Sequence, residues 1–201
     1  MKMIRFALTV AAFSLAASTA MGQKIRLKEG KLDALKGVKK MNVQYDYSGM
    51  TCTTKNIPED EFVSNKKEEY NKKEAGKGDK WADSWVADRE KRFHVHFKDM
   101  FEKQSDLQLG DMPDEKYTLV FKTTHVETGY NIGISRRDAF IDGEALVIET
   151  ANPKNVIARI TIDNVPGRTG GGYDFDTGER LAEAYEKAGK SLGKYFSKEI
   201  D

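Results

Sequence analysis

A strict alternation of apolar and polar residues opens the folded part of the chain. The apolar members are Met41, Val43, Tyr45 and Tyr47. A period of two is typical of a strand with one buried face, and Gly49 ends it. Residues 23–37 are basic and polar without such a period, and they predict a flexible lead-in with at most one helical turn. The domain is therefore expected to span residues 38–201.

Two helices are predicted after this strand. The first covers residues 57–74, because Pro58 is tolerated in a first turn and the acids that follow it complement the helix dipole. The second covers residues 79–105 and is expected to be capped by Asp79. It carries large apolar residues at spacings of three or four: Trp81, Trp85, Phe93, Phe97, Met100 and Phe101. Such a stripe is what a buried helix face requires, so we interpret it as core.

Three further strands are predicted in the second half of the chain. Residues 117–127 are rich in β-branched and aromatic side chains, and residues 138–151 have an apolar centre. The fourth strand follows from Val156 after the turn signal of residues 152–155. The short connection predicts that the third and fourth strands form an antiparallel hairpin.

The last helix is predicted to start at Asp176, with Glu179 completing a capping-box pattern. Its interior glycines, Gly189 and Gly193, are unfavourable in a helix and therefore indicate close packing of the helix backbone on the sheet. The element order is strand, two helices, three strands, helix. It predicts a two-layer α+β domain, with helices on one face of a mostly antiparallel four-stranded sheet.

The amino terminus has the features of a secretory signal over residues 1–22. A basic start precedes an apolar run of 12 residues, which is shorter than the ~20 that a membrane-spanning helix needs. Small residues permit cleavage after Ala20 or after Gly22, and we favour the second, which leaves Gln23 first. The mature protein is expected to be periplasmic or secreted, with no transmembrane anchor after cleavage.

Composition narrows the function classes. The chain is 39% hydrophobic, which is too apolar for a disordered protein. Its 33 basic and 32 acidic residues are interleaved, which argues against a nucleic-acid partner. A single cysteine, Cys52, excludes an internal disulfide framework. Its polar neighbours favour exposure, while burial and pairing between chains stay open, as does the oligomeric state.

The histidines do not form a metal or catalytic constellation. His94 and His96 are two residues apart on a predicted helix, where their side chains point about 200° apart. His125 is alone on a strand, and no cysteine or carboxylate spacing completes a site. We expect no metal, no cofactor and no catalytic residue. A secreted hydrolase that uses these histidines is the weakest of the functional hypotheses.

A basic pair and a glycine-rich loop are the candidate ligand or partner site. The residues are Arg136, Arg137, Arg168, Gly170, Gly171, Gly172 and Tyr173. The loop over residues 166–173 precedes a helix, as a phosphate cradle would. It lacks the Lys-Ser/Thr of a P-loop, and Asp174 and Asp176 would repel an anion. A flexible loop or a family-specific turn is favoured over ligand binding.

A resemblance adds to this interpretation. The hairpin, the glycine-rich loop and the run Asp-Thr-Gly-Glu-Arg-Leu-Ala-Glu-Ala-Tyr from position 176 look like small secreted envelope proteins of uncharacterised families. The element order resembles the amino-terminal domain of TolB and the outer-membrane activators of penicillin-binding proteins. The sequence likeness is confined to about residues 156–196. The resemblance implies a partner-binding module and not an enzyme.

We therefore expect an exported, non-catalytic protein that binds another envelope protein or a surface component. The alternative is a small-ligand binding protein with a pocket between the sheet and the helix that carries Trp81 and Trp85.

Overall fold

The computed structural model describes residues 23–131, 135–167 and 176–200. The predicted signal, residues 1–22, lies outside this part of the chain. So do five of the candidate site residues: Arg168, Gly170, Gly171, Gly172 and Tyr173.

A mixed sheet of eight strands forms one layer of the fold. The described part of the chain has ten strands, eight of them in this sheet. In chain order they are β1 (Lys24–Gly30), β2 (Lys40–Asp46), β3 (Thr51–Cys52), β4 (Ile57–Pro58), β5 (Gln108–Gly110), β6 (Tyr117–Glu127), β7 (Tyr130–Asn131), β8 (Arg136–Arg137), β9 (Phe140–Glu149) and β10 (Asn152–Pro166). The spatial order is β1-β10-β9-β6-β2-β5, with β3 paired to β6 and to β4. Strands β7 and β8 form a separate small hairpin.

The helices are α1 (Glu59–Lys73), α2 (Lys77–Asp88), α3 (His94–Ser105) and α4 (Thr177–Ile200). A 3-10 turn (Asp33–Leu35) lies between β1 and β2, and a π-helical turn (Arg89–Phe93) joins α2 to α3. Helices α3 and α4 pack on each other and bury a core that includes Phe97 and Tyr185. The predicted α+β class is confirmed.

The expected four-stranded, mostly antiparallel sheet is wrong. β2 runs parallel to both β5 and β6, and β3 also runs parallel to β6. Three of the missed strands have only two or three residues, which is too short for a period to be visible. The parallel pairing follows from the long helical crossover between β2 and β6, which returns the chain in the same direction. The β9–β10 hairpin is antiparallel, as predicted.

Residues 23–37 are not the flexible lead-in that the sequence predicts. Strand β1 pairs antiparallel with β10 along the edge of the sheet, with Ile25 opposite Ile162. The alternation is hidden because almost every residue of this edge strand is exposed. Beyond it, Leu32 and Leu35 are buried in the core. The domain therefore begins well before residue 38.

The helix boundaries differ from the predicted ones. Ile57 and Pro58 form β4, so α1 starts at Glu59, two residues later than predicted, with three acidic residues in its first turn. Helix α2 begins at Lys77 after Gly76, which has a φ of 78°, so Asp79 is not its cap. The aromatic stripe is core as expected, since Phe97 and Phe101 are fully buried. None of the described helices is long and apolar enough to cross a membrane.

The glycines of α4 lie against α3 and not against the sheet, which corrects the predicted packing partner. A Cβ added at Gly189 would overlap the backbone carbonyl of Phe97, and one at Gly193 would lie 2.6 Å from the carbonyl oxygen of Phe101. At the start of α4, the Glu179 N–H donates to Asp176 Oδ1 over 3.1 Å, so the predicted cap is present.

The preference for an exposed Cys52 is wrong. The residue lies on β3 with none of its surface exposed. Strand β3 pairs with β4 on one side and β6 on the other, and α1 contacts it. Burial raises the pKa of its thiol to about 12.

Candidate functional site

A groove of about 390 Å³ lies between α1, the turn that follows β3 and the loop that joins β6 to β7. We call it the Arg137 groove, and the residues that define it are Thr54, Lys55, Phe62, Glu127, Tyr130 and Arg137. It therefore combines segments that are far apart in the sequence.

The carboxylate of Glu127 holds the base of the groove together. Its Oε2 accepts hydrogen bonds from the backbone N–H of Thr54 at 3.0 Å and from the Arg137 guanidinium at 3.4 Å. Its Oε1 accepts from the N–H of Gly129 at 3.2 Å. Glu127 is only 3% exposed, so this charge is paired where water has little access. The carboxylate therefore fixes three chain segments at one point.

The loop after β6 is held from the other side by α4. Gly129 has a φ of 63°, and a Cβ there would lie 2.6 Å from the backbone nitrogen of Ala139, so only glycine suits the position. The buried Arg180 of α4 donates from Nε to the carbonyl of Thr128 at 3.1 Å. Arg180 thus ties the wall of the groove to the helical layer.

The turn after β3 brings polar groups to the groove. Thr53 and Asn56 both have positive φ values, of 62° and 52°. The turn closes through the Asn56 N–H, which donates to the Thr53 carbonyl at 2.9 Å. This geometry presents the hydroxyl of Thr54, which accepts from Arg137 Nη1 at 2.8 Å, and leaves Lys55 exposed.

One face of α1 forms the opposite wall. Phe62, Asn65, Lys66 and Glu69 follow the helical spacing that places side chains on the same face. Phe62 is buried and forms the floor. Glu69 accepts from Lys66 at 2.9 Å and from Lys73 at 2.7 Å, and these bonds lower its pKa to about 2. This acid is therefore already neutralised.

The rim carries surplus positive charge beside an aromatic ring. Both acids of the groove are paired, whereas Lys55 of the lining and Arg136, which precedes Arg137 on β8, are exposed and form no ion pair within the described ranges. Tyr130 is 40% exposed, which is high for a large ring. The arrangement favours an anionic group that also offers apolar contact.

The polar groups at the base of the groove are already engaged with one another. Glu127 is bound to two N–H groups and Arg137, so it is not placed to move a proton. The nearby His125 has its Nδ1 2.9 Å from the Thr51 hydroxyl. Among the described residues no group of three or more His, Cys, Asp and Glu could hold a metal ion. Binding is the chemistry that this geometry supports.

The structure brings one part of the predicted site to the groove. Arg137 contacts its base and Arg136 lies exposed next to it on β8. The glycine-rich half, from Arg168 to Tyr173, lies outside the described residues.

The histidines are in separate surroundings. His94 on α3 stacks on Tyr45 with ring centroids 3.8 Å apart, and its Nε2 lies 3.1 Å from the Tyr47 hydroxyl. His96 is exposed on the same helix, and His125 is on β6. As predicted, His94 and His96 occur on a helix and not on a strand.

A second cleft lies next to Trp81 and Trp85. Its volume is about 330 Å³, and its lining comes from α2 and the first turn of α4. Trp85 is fixed there by its indole N–H, which donates to Glu59 at 2.6 Å.

Sequence reasoning missed Glu127, Thr54, Lys55 and Tyr130. One signal for Glu127 was present, since an acid ends an apolar strand immediately before Thr128 and Gly129. The others had no local signal, because their role depends on contacts between remote segments.

Comparisons with known proteins add little to this geometry. No family model and no curated protein matches the chain. Two solved structures that resemble it are PelC dodecamers from Paraburkholderia phytofirmans, the second of them a point variant. The first is 13% identical, and the alignment covers 86% of this chain and 98% of that one. The second is 12% identical, covering 83% and 98%. Both TM-scores are 0.39.

Proposed function

We propose that the protein is an exported, non-catalytic binding module that receives an acidic segment of another envelope protein in the Arg137 groove. The observation that carries the proposal is the exposed positive charge around the groove. Lys55 in its lining and Arg136 beside Arg137 have no ion-pair partners among the described residues, and the exposed ring of Tyr130 lies in the same lining. An acidic partner supplies the missing charges, and the ring supplies apolar contact.

The compartment in this proposal comes from the sequence. The signal-like residues 1–22 motivate export, and the resemblance of the element order to the TolB amino-terminal domain motivates a partner in the cell envelope. That resemblance also motivates a module without catalytic activity, in agreement with the paired carboxylates of the groove.

The base of the groove supports binding because it is already organised. Glu127, Thr54 and Arg137 are bonded to one another without a ligand, so a partner does not have to order them. A volume of about 390 Å³ accommodates a few residues of an extended segment and not a folded surface. We therefore expect a short linear segment to be recognised.

Site-specific cross-linking tests the proposal. A photoreactive phenylalanine analogue replaces Tyr130 in the protein expressed in its native cells, and a matched control carries the analogue at the exposed Val86 on α2. We expect a cross-link from position 130 and not from 86, and peptide mapping is expected to place it in an Asp/Glu-rich segment. Cross-links at equal yield from both positions would overturn the proposal, as would a contact segment without acids.

Charge reversal then measures the recognition. A synthetic peptide of the mapped segment is titrated against the Lys55→Glu and Arg136→Glu variants, with Lys154→Glu as control. Lys154 is exposed near the start of β10, and its substitution makes the same change in net charge. We expect each rim variant to weaken binding about tenfold, ~1.4 kcal/mol, with no change for the control. Equal affinity of all three variants would contradict the proposed role of the rim.

A further inference from the structure

The cleft between α2 and α4 has a composition unlike that of the Arg137 groove. Trp81, Ser84, Trp85 and Asp88 occur at helical spacing along one face of α2, and residues 176–178 close the other side. The volume, about 330 Å³, suits a small solute or a single headgroup. This cleft shares no residue with the groove.

The two tryptophans form one wall of the cleft. Their rings are stacked, with centroids 5.6 Å apart and an interplanar angle of 30°. Phe62 and Tyr70 pack edge-on against Trp81, which fixes the position of its ring. The wall is therefore a rigid aromatic surface, and the indole face is the aromatic face that attracts a cation most strongly.

The end of the cleft is acidic. Asp88 contributes one carboxylate, and Asp176 and Glu179 lie beside it. The guanidinium of Arg92 lies 3.2 Å from Asp88, 3.0 Å from Asp176 and 3.5 Å from Glu179. Within the described part of the chain, Arg92 is the cation that pairs with Asp88. Burial raises the pKa of Asp88 even though Arg92 acts in the opposite direction.

We infer that this cleft binds an alkylammonium group, with its methyl groups on Trp81 and Trp85 and its charge next to Asp88. An anion would be repelled by the carboxylates. A neutral solute would gain the aromatic contact but no electrostatic contact with the carboxylate of Asp88. A cation with apolar substituents satisfies both parts of the cleft.

The chain provides its own reporter, because both of its tryptophans line this cleft. Choline is titrated against the purified protein while tryptophan fluorescence is followed, and 3,3-dimethylbutan-1-ol, its neutral isostere, serves as control ligand. We expect a saturable change with choline and at least tenfold weaker binding of the isostere. Equal responses to the two compounds, or no response to choline, would overturn the inference. This comparison needs no variant.

Asp88→Asn removes the charge with little change in shape, and the matched control is Asp83→Asn, on an exposed position of the same helix outside the cleft. We expect Asp88→Asn to weaken choline binding at least tenfold and Asp83→Asn to leave it unchanged. Equal choline binding by the two variants would contradict the assignment of Asp88.

Vesicles distinguish the two sources of the group. A fluorescence response to phosphatidylcholine vesicles as well as to choline would identify a lipid headgroup, whereas a response to choline alone would identify a soluble cation. Phosphatidylglycerol vesicles are the control, and a response to them equal to that of phosphatidylcholine would argue against the inference.

Discussion

The α3–α4 interface and the Arg137 groove are built in opposite ways. At the interface, two long helices meet backbone to backbone through Gly189 and Gly193, and the surrounding side chains are aromatic and fully buried. At the groove, strands of two residues and a four-residue turn are joined by one carboxylate, that of Glu127. The first region depends on shape and the second on satisfied polar atoms.

The two regions are therefore expected to tolerate different kinds of substitution. A tightly packed interface loses stability when volume is added, because neighbouring backbones have no space to move. A polar hub loses stability when an acceptor is removed, because buried N–H groups are left without partners. The interface therefore provides the rigid layer, and the groove presents its exposed rim on top of a fixed base.

The largest effect is expected for Gly189→Leu. A side chain at this position overlaps the backbone of Phe97, so α3 and α4 must separate. We expect the free energy of unfolding to fall by roughly 3 kcal/mol or more, as for the most severe cases of overpacking. Urea denaturation measures it.

Lys190→Leu is the matched control for this substitution, since it introduces the same side chain one residue later on the exposed face of α4. We expect its unfolding midpoint to stay close to that of the wild type. If the two variants unfold at the same urea concentration, the close approach of the helices is not what stabilises this region.

Glu127→Ala is expected to have the second-largest effect. It leaves the N–H groups of Thr54 and Gly129 without an acceptor and Arg137 without its carboxylate. We expect a loss of about 2 kcal/mol in urea denaturation. Glu69→Ala, which breaks exposed ion pairs of α1, should cost no more than ~0.5 kcal/mol. Equal losses would show that Glu127 stabilises the protein no more than an exposed ion pair does.

The interface was the part of the molecule that the sequence predicted best. The stripes that contain Phe97 and Leu192 have helical periods because a helix repeats its environment every three or four residues. What could not be predicted is the partner of each stripe. Gly189 indicated a close approach, but a period does not say whether a helix or a sheet lies opposite.

The groove could not be predicted in the same way. β3, β4 and β8 have two residues each, and no period fits in so short a segment. The sequence marks Arg137 only as part of a basic pair, and no local pattern connects it with Glu127, ten residues earlier in the chain. Sites assembled from polar contacts between remote turns leave little local pattern, whereas packed layers leave much.

A third, smaller effect concerns pH and lies at the edge of the α3–α4 layer. Burial, and secondarily the positive charge of Arg89, lowers the pKa of His94 from 6.5 to about 4. Protonation is therefore easier in the unfolded chain than in the folded one. The contribution of neutral His94 to the free energy of unfolding is fully present above pH 6.5, and it is lost as the pH falls from 6.5 towards 4. Because His94 is only half-buried, we expect a loss of about 1 kcal/mol.

The control for this pH effect is His94→Gln, which cannot titrate. Thermal unfolding of both proteins is measured from about pH 7.5 to about pH 4, so that the carboxylates, which titrate in both, cancel in the difference. We expect the melting temperature of the wild type to fall more steeply below the ordinary pKa of histidine. Parallel curves would indicate that His94 is accessible to protons in the folded state.

Thiol reactivity compares the two regions directly and needs no substitution. Cys52 lies in β3, at the groove end of the sheet, with a buried thiol whose pKa is raised to about 12. Reaction with an aromatic disulfide reagent at about pH 8 should be at least ~100-fold slower in the native protein than in urea-unfolded chain. Because β3 and β4 are so short, we expect the native reaction to proceed through local opening and to depend only weakly on low urea concentrations. A rate that rises with urea as steeply as global unfolding would mean that the groove end opens only when the α3–α4 interface does.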